Sequence, residues 1–349
     1  MIKIKDIAIA CGVSISTVSK ALNRSHEISD ETTKKIVEKA NQLGYIANSN
    51  ARSLKTKRSQ NLGLIFVDKS DSGLGHEYFS VILNGIKKEA EEQGYDLTFI
   101  SSSIGRSRNS YLNHAKYRGC DGVIIVSADF HDPKIIALVE SDMPTITIDY
   151  QFHNRTAIMS DNTRGLEEIV RYLHTMGHER IAFIHGEDTD VTKQRLASFY
   201  RTCEELGINI PDEYIKTAEY HIPKNSGIAT KELIELEKRP TCIIFPDDYS
   251  YMGGLTEIEK HGLKIPDDIS VVGYDGIYLS RILRPVLTTY VQESEKIGET
   301  ATSELIKMIE NPKTYLAEKI IIDGYLQIGQ TVKKIQDWGK KNEIWTIRW

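Results

Sequence analysis

Apolar positions in the first 45 residues recur at helical spacing. Ile4, Ile7, Ala8 and Cys11 form one stripe, and Gly12 stops it. Ser14 can cap a second helix over about residues 15–23, with Val18, Ala21 and Leu22 facing inward. Ser29 or Asp30 can cap a third, whose stripe is Ile36, Val37, Ala40 and Leu43 and whose end is Gly44. Helix, tight turn, helix and a supporting helix make the helix-turn-helix pattern. From Asn61 the rhythm changes. Leu62-Gly63-Leu64-Ile65-Phe66-Val67 is an uninterrupted apolar run that reads as a buried strand. After it the pattern predicts a helix over 78–93, a strand over 97–101, a helix over 109–118, a strand over 122–127, a helix over 133–140 and a strand over 145–148. The alternation restarts near Asp161, with helices over 163–176, 193–206 and 250–261 and strands over 180–185, 242–245 and 270–274. Apolar strands alternating with amphipathic helices predict parallel sheets covered on both faces. Two such units in series predict two α/β lobes with a ligand cleft between them, at the strand carboxyl ends.

Composition sharpens this division. The 349 residues are 40% hydrophobic and 27% charged, which excludes fibrous and disordered chains and suits two or three domains. The net charge of −5 argues against nucleic acid only if it is evenly spread. It is not. Residues 1–60 hold eleven basic and five acidic side chains, net +6, and the other 289 hold 33 and 44, net −11. A small cationic segment on an anionic body predicts a polyanion-binding module. The four cysteines are scattered with no C-x-x-C, which predicts free thiols in a reducing compartment and no zinc site. No run of about 18 apolar residues occurs, and the first residues lack a signal-peptide pattern, so a cytoplasmic protein with no membrane span is expected. No P-loop, G-x-G-x-x-G helix start or G-x-S-x-G elbow is present, so neither an enzyme nor a cofactor is expected. Residues 47–59 are polar and basic, with Leu54 their one large apolar residue, and read as a linker that can order on a partner.

Several segments together resemble the lac repressor/purine repressor (LacI–GalR) family. They are Ile4-Lys5-Asp6-Ile7-Ala8, Gly12-Val13-Ser14, Ser16-Thr17-Val18-Ser19-Lys20-Ala21-Leu22-Asn23, Leu43-Gly44-Tyr45 and Ala51-Arg52-Ser53-Leu54. The series continues through Asp161-Asn162, Gly177-His178-Glu179-Arg180-Ile181-Ala182-Phe183-Ile184, Arg195-Leu196, Asp247-Asp248, Pro266-Asp267-Asp268-Ile269-Ser270-Val271-Val272-Gly273-Tyr274-Asp275 and Leu287-Thr288-Thr289. It runs in order from residue 2 to about 330. The resemblance implies a helix-turn-helix headpiece over 1–46, a hinge helix over 47–60 and a periplasmic-binding-protein-like core of two doubly wound lobes over 61–330. The first lobe would take 61–160 and 291–322, the second 161–290 and 323–330, and residues 331–349 would form a tail. All three tryptophans, Trp338, Trp345 and Trp349, lie in that tail, where Val332, Ile335 and Trp338 can share one short amphipathic face.

What the resemblance implies for function is a repressor of carbohydrate-utilisation genes, a homodimer on a pseudo-palindromic double-stranded operator, controlled by a small effector, expected to be a sugar. A nucleobase or protein corepressor stays open, and a solute-binding receptor is the alternative from another class. Ile15, Ser16 and Lys20 would meet base edges in the major groove. Ser14, Thr17, Ser19, Asn23, Ser29 and Thr32 would meet phosphates, although Ser14 and Ser29 are equally well explained as plain helix caps. Leu54 would wedge into the minor groove, flanked by Asn48 and Ala51, unless it packs on the core. Phe79, Arg195, Tyr220, Asp247 and Asp275 would grip the effector. Asp161 would either join them or hold a lobe crossover. The chain departs from the family at Lys3, where a hydroxyl cap is usual, at Ala47, where proline is frequent, and at Gly276, where a second acid is common. Residues 71–77 are longer than the usual loop, and His76 and Glu77 there are open to a ligand role or to a plain rim loop.

Overall fold

The computed structural model describes residues 2–22, 27–45, 58–68, 72–104 and 107–335. Asn23, Asn48, Ala51, Leu54 and the three tryptophans lie outside the described residues. The chain divides into two compact units, Met1–Ser59 and Gln60–Trp349.

The first unit is three helices, α1 (Ile4–Cys11), α2 (Ile15–Leu22) and α3 (Asp30–Gln42). Without a hydroxyl cap, α1 starts on the Lys3 backbone N–H, which donates to Asp6 Oδ2 at 2.8 Å. Gly12 takes φ +65, and the Val13 N–H reaches back to the Ala8 carbonyl, which turns the chain into α2. Ile7, Val18, Ala21, Ile36 and Ala40 are buried together as a small core. Val37, expected on that stripe, is instead 36% exposed, because Ile36 and Ala40 already fill the inward face of α3.

In the second unit, β1 (Asn61–Phe66), α4 (Glu77–Gln93), β2 (Asp96–Phe99), the short pair β3 (Ser103–Ile104) and β4 (Ser107–Arg108), α5 (Tyr111–Tyr117), β5 (Gly122–Ser127), α6 (Pro133–Val139), β6 (Thr145–Ile148) and β7 (Ala157–Ser160) build one lobe. The chain then crosses into α7 (Asn162–Thr175), β8 (Ile181–His185), α8 (Asp190–Glu205), β9 (Ile215–Thr217), α9 (Pro223–Ile234), β10 (Cys242–Ile244), α10 (Tyr251–Lys260), β11 (Ser270–Asp275), α11 (Tyr278–Ile282) and β12 (Thr288–Val291). It returns as α12 (Ser294–Glu310) and β13 (Lys319–Ile322), and crosses a third time into β14 (Tyr325–Gln327). The first sheet runs β13-β7-β6-β5-β1-β2, with every pairing parallel. The second runs β14-β12-β11-β10-β8-β9, parallel except at β14. The two lobes therefore repeat one doubly wound topology. Val123, Ile124 and Ile125 of β5 and Val271 and Val272 of β11 are buried, as strands covered by helices on both faces must be.

The tail begins pinned to the second lobe. Thr331 Oγ1 donates to the Val271 carbonyl at 2.7 Å, and the Ile335 N–H donates to the Met176 carbonyl at 2.9 Å. Val332 packs on that lobe's core, so Val332 and Ile335 lie in irregular chain and not on the helical face expected of them.

In the first lobe α4 and α12 cross at two glycines. A Cβ on Gly85 would stand 2.2 Å from the Glu295 carbonyl oxygen, and one on Gly298 would stand 2.1 Å from the Ile82 carbonyl oxygen. Gly85→Ala gains about 1 kcal/mol of helix propensity, but forcing the backbones apart costs about 1–3 kcal/mol of packing. A net loss in stability is expected, read as a lower urea midpoint for the variant.

Candidate functional site

The helical unit presents one face of α2. Ser14 caps it, its Oγ accepting the Thr17 N–H at 3.0 Å and pairing with Thr17 Oγ1 at 2.8 Å. Ser29 does the same for α3, accepting the Thr32 N–H at 3.3 Å and donating to Thr32 Oγ1 at 2.9 Å. Capping leaves both hydroxyls at helix starts, where the remaining backbone N–H groups attract phosphate. Ile15 is 52% exposed at the start of α2, and no packing need accounts for a large apolar side chain there. Ser16 beside it is exposed, Thr17, Ser19 and Lys20 are half-buried, and Val18 is buried. The Lys20 ammonium pairs with the Glu27 carboxylate.

The other site is a cavity of about 210 Å³ between the two lobes, at the carboxyl ends of β1, β5, β6 and β11. It is below the usual range for drug-sized ligands, which suits a small molecule. Arg195, on α8, is 4% exposed. Its Nε donates to Asn162 Oδ1 at 2.8 Å and its Nη1 to the Pro246 carbonyl at 3.0 Å, while Tyr274 lies under the guanidinium at 3.5 Å. Asp275 ends β11 with φ +101 and accepts from Gln292 Nε2 at 2.6 Å. Burial pushes its carboxyl up to about 8, with Asp247 adding to the rise and Arg195 and Gln292 opposing it. Asp149, at φ +58 just after β6, accepts from the Ser160 N–H at 3.0 Å and from the Tyr78 hydroxyl at 3.2 Å, and burial raises its carboxyl too. The Asp275 carboxyl can therefore donate as well as accept hydrogen bonds near neutral pH.

Aromatic rings line both sides. Phe79 and the parallel pair Phe130–Tyr150, 4.5 Å apart, belong to the first lobe and Tyr220 to the second. Tyr220 can lie flat against the chain because Gly186 is there, where a Cβ would stand 2.0 Å from its ring. Its hydroxyl pairs with Thr192 Oγ1 at 2.9 Å.

Of the six cleft residues singled out in the sequence, Phe79, Arg195, Tyr220 and Asp275 line this cavity. Asp247 and Asp161 are not among the lining residues. Asp247 is 1% exposed and takes hydrogen bonds from the His221 N–H, the Ser250 N–H and the Ser250 hydroxyl, so it fixes the loop behind the wall. Asp161 caps α7 through the Arg164 N–H at 2.9 Å, at the first lobe crossing. Gly276 has φ +70, and a Cβ there would stand 2.7 Å from Val291 Cα, so no second acid fits after Asp275. Asp149, Gln292 and His221 line the cavity without having been singled out as effector contacts, and His76, left open between a ligand role and a rim loop, lines it too. The position of Asp149 at a strand carboxyl end was the signal for it; Gln292 offered none.

Residues 3–48 match the sequence family described as bacterial regulatory proteins, lacI family. Residues 59–329 match the family described as periplasmic binding proteins and sugar binding domain of LacI family. The probable HTH-type transcriptional repressor ExuR of Bacillus subtilis is 32% identical over 340 residues, covering 96% of this chain and 99% of its own. The HTH-type transcriptional repressor PurR of Mannheimia succiniciproducens is 30% identical over 340 residues, covering 96% and 100%. A solved lac repressor dimer, bound to operator and the anti-inducer ONPF, superposes with a TM-score of 0.78 at 23% identity, over 95% of this chain and 99% of that one.

Proposed function

This chain belongs to the LacI family and is a DNA-binding transcriptional repressor, and from that premise we propose that it governs carbohydrate-utilisation genes through a sugar held between its core lobes. The observation that carries this reading is the small inter-lobe cavity with Arg195 and Asp275 on one side and aromatic rings on both. A guanidinium and carboxyls hydrogen-bond neighbouring hydroxyls, and rings pack on the apolar faces of a sugar. Phe79, Arg195, Tyr220 and Asp275 contact the effector, Asp149 and Gln292 join them, and Asp247 and Asp161 hold the chain that positions them. Ile15, Ser16 and Lys20 meet bases. Ser14, Thr17, Ser19, Asn23, Ser29 and Thr32 meet phosphates, and Asn48, Ala51 and Leu54 enter the minor groove. The protein acts as a homodimer on a pseudo-palindromic operator in the cytoplasm and catalyses no reaction. A dimer on operator is how the similarly folded lac repressor stands in its solved structure.

A nucleobase effector is the second reading, favoured by the flat Phe130–Tyr150 stack, whose planes are 6° apart. Calorimetry of the full chain against monosaccharides and free nucleobases separates the two, followed by operator titrations with the compound that binds. The expected result is that a sugar binds and changes operator affinity about 5- to 150-fold, the usual span of such couplings. Binding of a nucleobase in place of any sugar establishes the second reading, and a bound sugar that leaves operator affinity unchanged removes the regulatory link.

A further inference from the structure

Two adjacent side chains of the first lobe reach the second. His76, 6% exposed, lies against His221, 8% exposed, with ring centroids 3.3 Å apart and planes 34° apart. Its neighbour Glu77 accepts a hydrogen bond from the Tyr278 N–H at the start of α11. The two imidazoles sit inside a longer column of rings. Tyr249 stacks on His221 at 5.3 Å, and Phe79 meets His76 at 4.5 Å. Both imidazoles line the cavity. His76 Nδ1 and His221 Nε2 are buried and make no hydrogen bond. The carboxylate oxygens facing His221 Nε2, on Asp247 and Asp275, stand 3.9 and 4.0 Å away, beyond hydrogen-bond reach. Unpaired buried ring nitrogens are costly, so a ligand that pairs with them gains what the protein alone forgoes.

We propose that His76 and His221 form an effector subsite, one imidazole from each lobe, that hydrogen-bonds a neutral hydroxylated end of the ligand and is clasped shut by Glu77. The proposal rests on the cleft being the effector site, and it adds which residues grip that end. Because each lobe supplies one ring, the subsite exists only while the lobes are together.

The surroundings select a neutral group. Asp68 and Glu77 of the first lobe and Asp247 and Asp275 of the second face the pair, and Arg195 is the one lysine or arginine among the described lining residues. An anionic group here would meet carboxyls, whereas a hydroxyl both gives and takes hydrogen bonds with a neutral imidazole. Burial, with His221 adding to it, holds His76 down to about 4. Burial also lowers His221, against the pull of Asp247, Asp68 and Glu77. In an open cleft both rings return towards their ordinary 6.5. The closed form is thus fully favoured above 6.5 and loses ground as pH falls from there towards 4. By pH 5.5 His76 alone weakens closure about tenfold.

The test is calorimetry on the full chain at pH 7.5 and 5.5, with D-ribose, D-glucose, D-galactose, D-glucuronate and D-galacturonate as probes. Wild type is compared with His76→Ala, His76→Gln and Glu77→Gln. The neutral sugar that binds is expected to bind about tenfold more weakly to His76→Ala, and about tenfold more weakly to wild type at pH 5.5 than at pH 7.5. His76→Gln keeps a hydrogen-bonding side chain without the titration, so it holds most of the affinity and loses much of the pH dependence. Unchanged affinity in His76→Ala overturns the subsite, and a uronate that binds more tightly at pH 5.5 overturns its neutral character. Spin labels, one on each lobe, read closure without any ligand. Wild type should open between pH 7.5 and 5.5, while His76→Gln and Glu77→Gln open less or are already open. A wild-type distance indifferent to pH overturns the control of closure by the histidines, and a Glu77→Gln distance equal to wild type at pH 7.5 overturns the clasp. If no sugar binds, the sugar reading of the cleft fails, and the label distances still decide the clasp.

Discussion

Deleting residues 1–59 is expected to lower affinity for the operator at least a thousandfold while leaving a folded, effector-binding core. Specific protein–DNA affinities exceed the same protein's non-specific binding by about 10³–10⁷, and here the specific part resides in one unit. The chain divides at Ser59 and Gln60, and the clusters that hold the larger unit together include no residue before Leu62. The smaller unit has its own core of Ile7, Val18, Ala21 and Ile36 and carries the exposed Ile15 and Ser16 of α2. What remains after deletion has more acidic than basic side chains, so even non-specific attraction to phosphate falls away. Fluorescence anisotropy on an operator selected by the full chain from random DNA measures the loss. Circular dichroism and calorimetry on the truncated chain measure what survives. Operator affinity retained by the truncated chain would sink the assignment of DNA recognition to α2.

Arg195→Met should weaken effector binding a hundredfold or more and abolish the operator's response to effector. Hydrogen bonds to a charged group are worth about 1.5–3 kcal/mol each, so the loss of two to the ligand is a factor of about 10² to 10⁴. The same change strips Asn162 Oδ1 and the Pro246 carbonyl of their donor and removes the one cation that restrains the Asp275 carboxyl. Asp275 then holds its proton to still higher pH. Arg195→Lys should restore little, since an ammonium cannot span Asn162, Pro246 and a ligand in one plane. Calorimetry gives the affinity, and operator titration without effector gives the control, which should be unchanged because the mutation lies in the core. Effector affinity within about threefold of wild type in Arg195→Met would remove Arg195 from the site.

The alternation of strands and helices was read over most of residues 61–274, whereas the amphipathic α12, beyond them, was not read as a helix. β5 and β6 stand where their apolar runs placed them, and α7 and α8 differ from expectation by a few residues at their ends. α9 was not legible. It packs so closely on α10 that small residues replace its large apolar stripe, and a Cβ on Gly253 would stand 1.7 Å from the Pro223 carbonyl oxygen. β7 went unread as well; its four buried residues run almost directly into α7, with Asp161 alone between them. In the cleft, residues quoted from family segments, such as Arg195 and Asp275, line the cavity, but Asp247 resembles a ligand residue in sequence and acts as a brace in the fold. The pairing of His76 with His221 spans 145 positions and arises only because the two lobes meet there, so no local pattern could announce it.

The core passes from lobe to lobe three times, at residues 160–162, 291–294 and 322–325. Two bodies joined by one strap can twist, slide and bend. Joined by three, they keep one easy motion, a rotation about the line of the straps. Whatever enters the cleft is thereby reduced to a single coordinate, the degree of opening. Ligands of different shape can then differ in how far they drive the protein but not in the direction. A series of effectors should fall on one scale of potency, and an analogue that wedges the lobes part-way should act as a partial agonist.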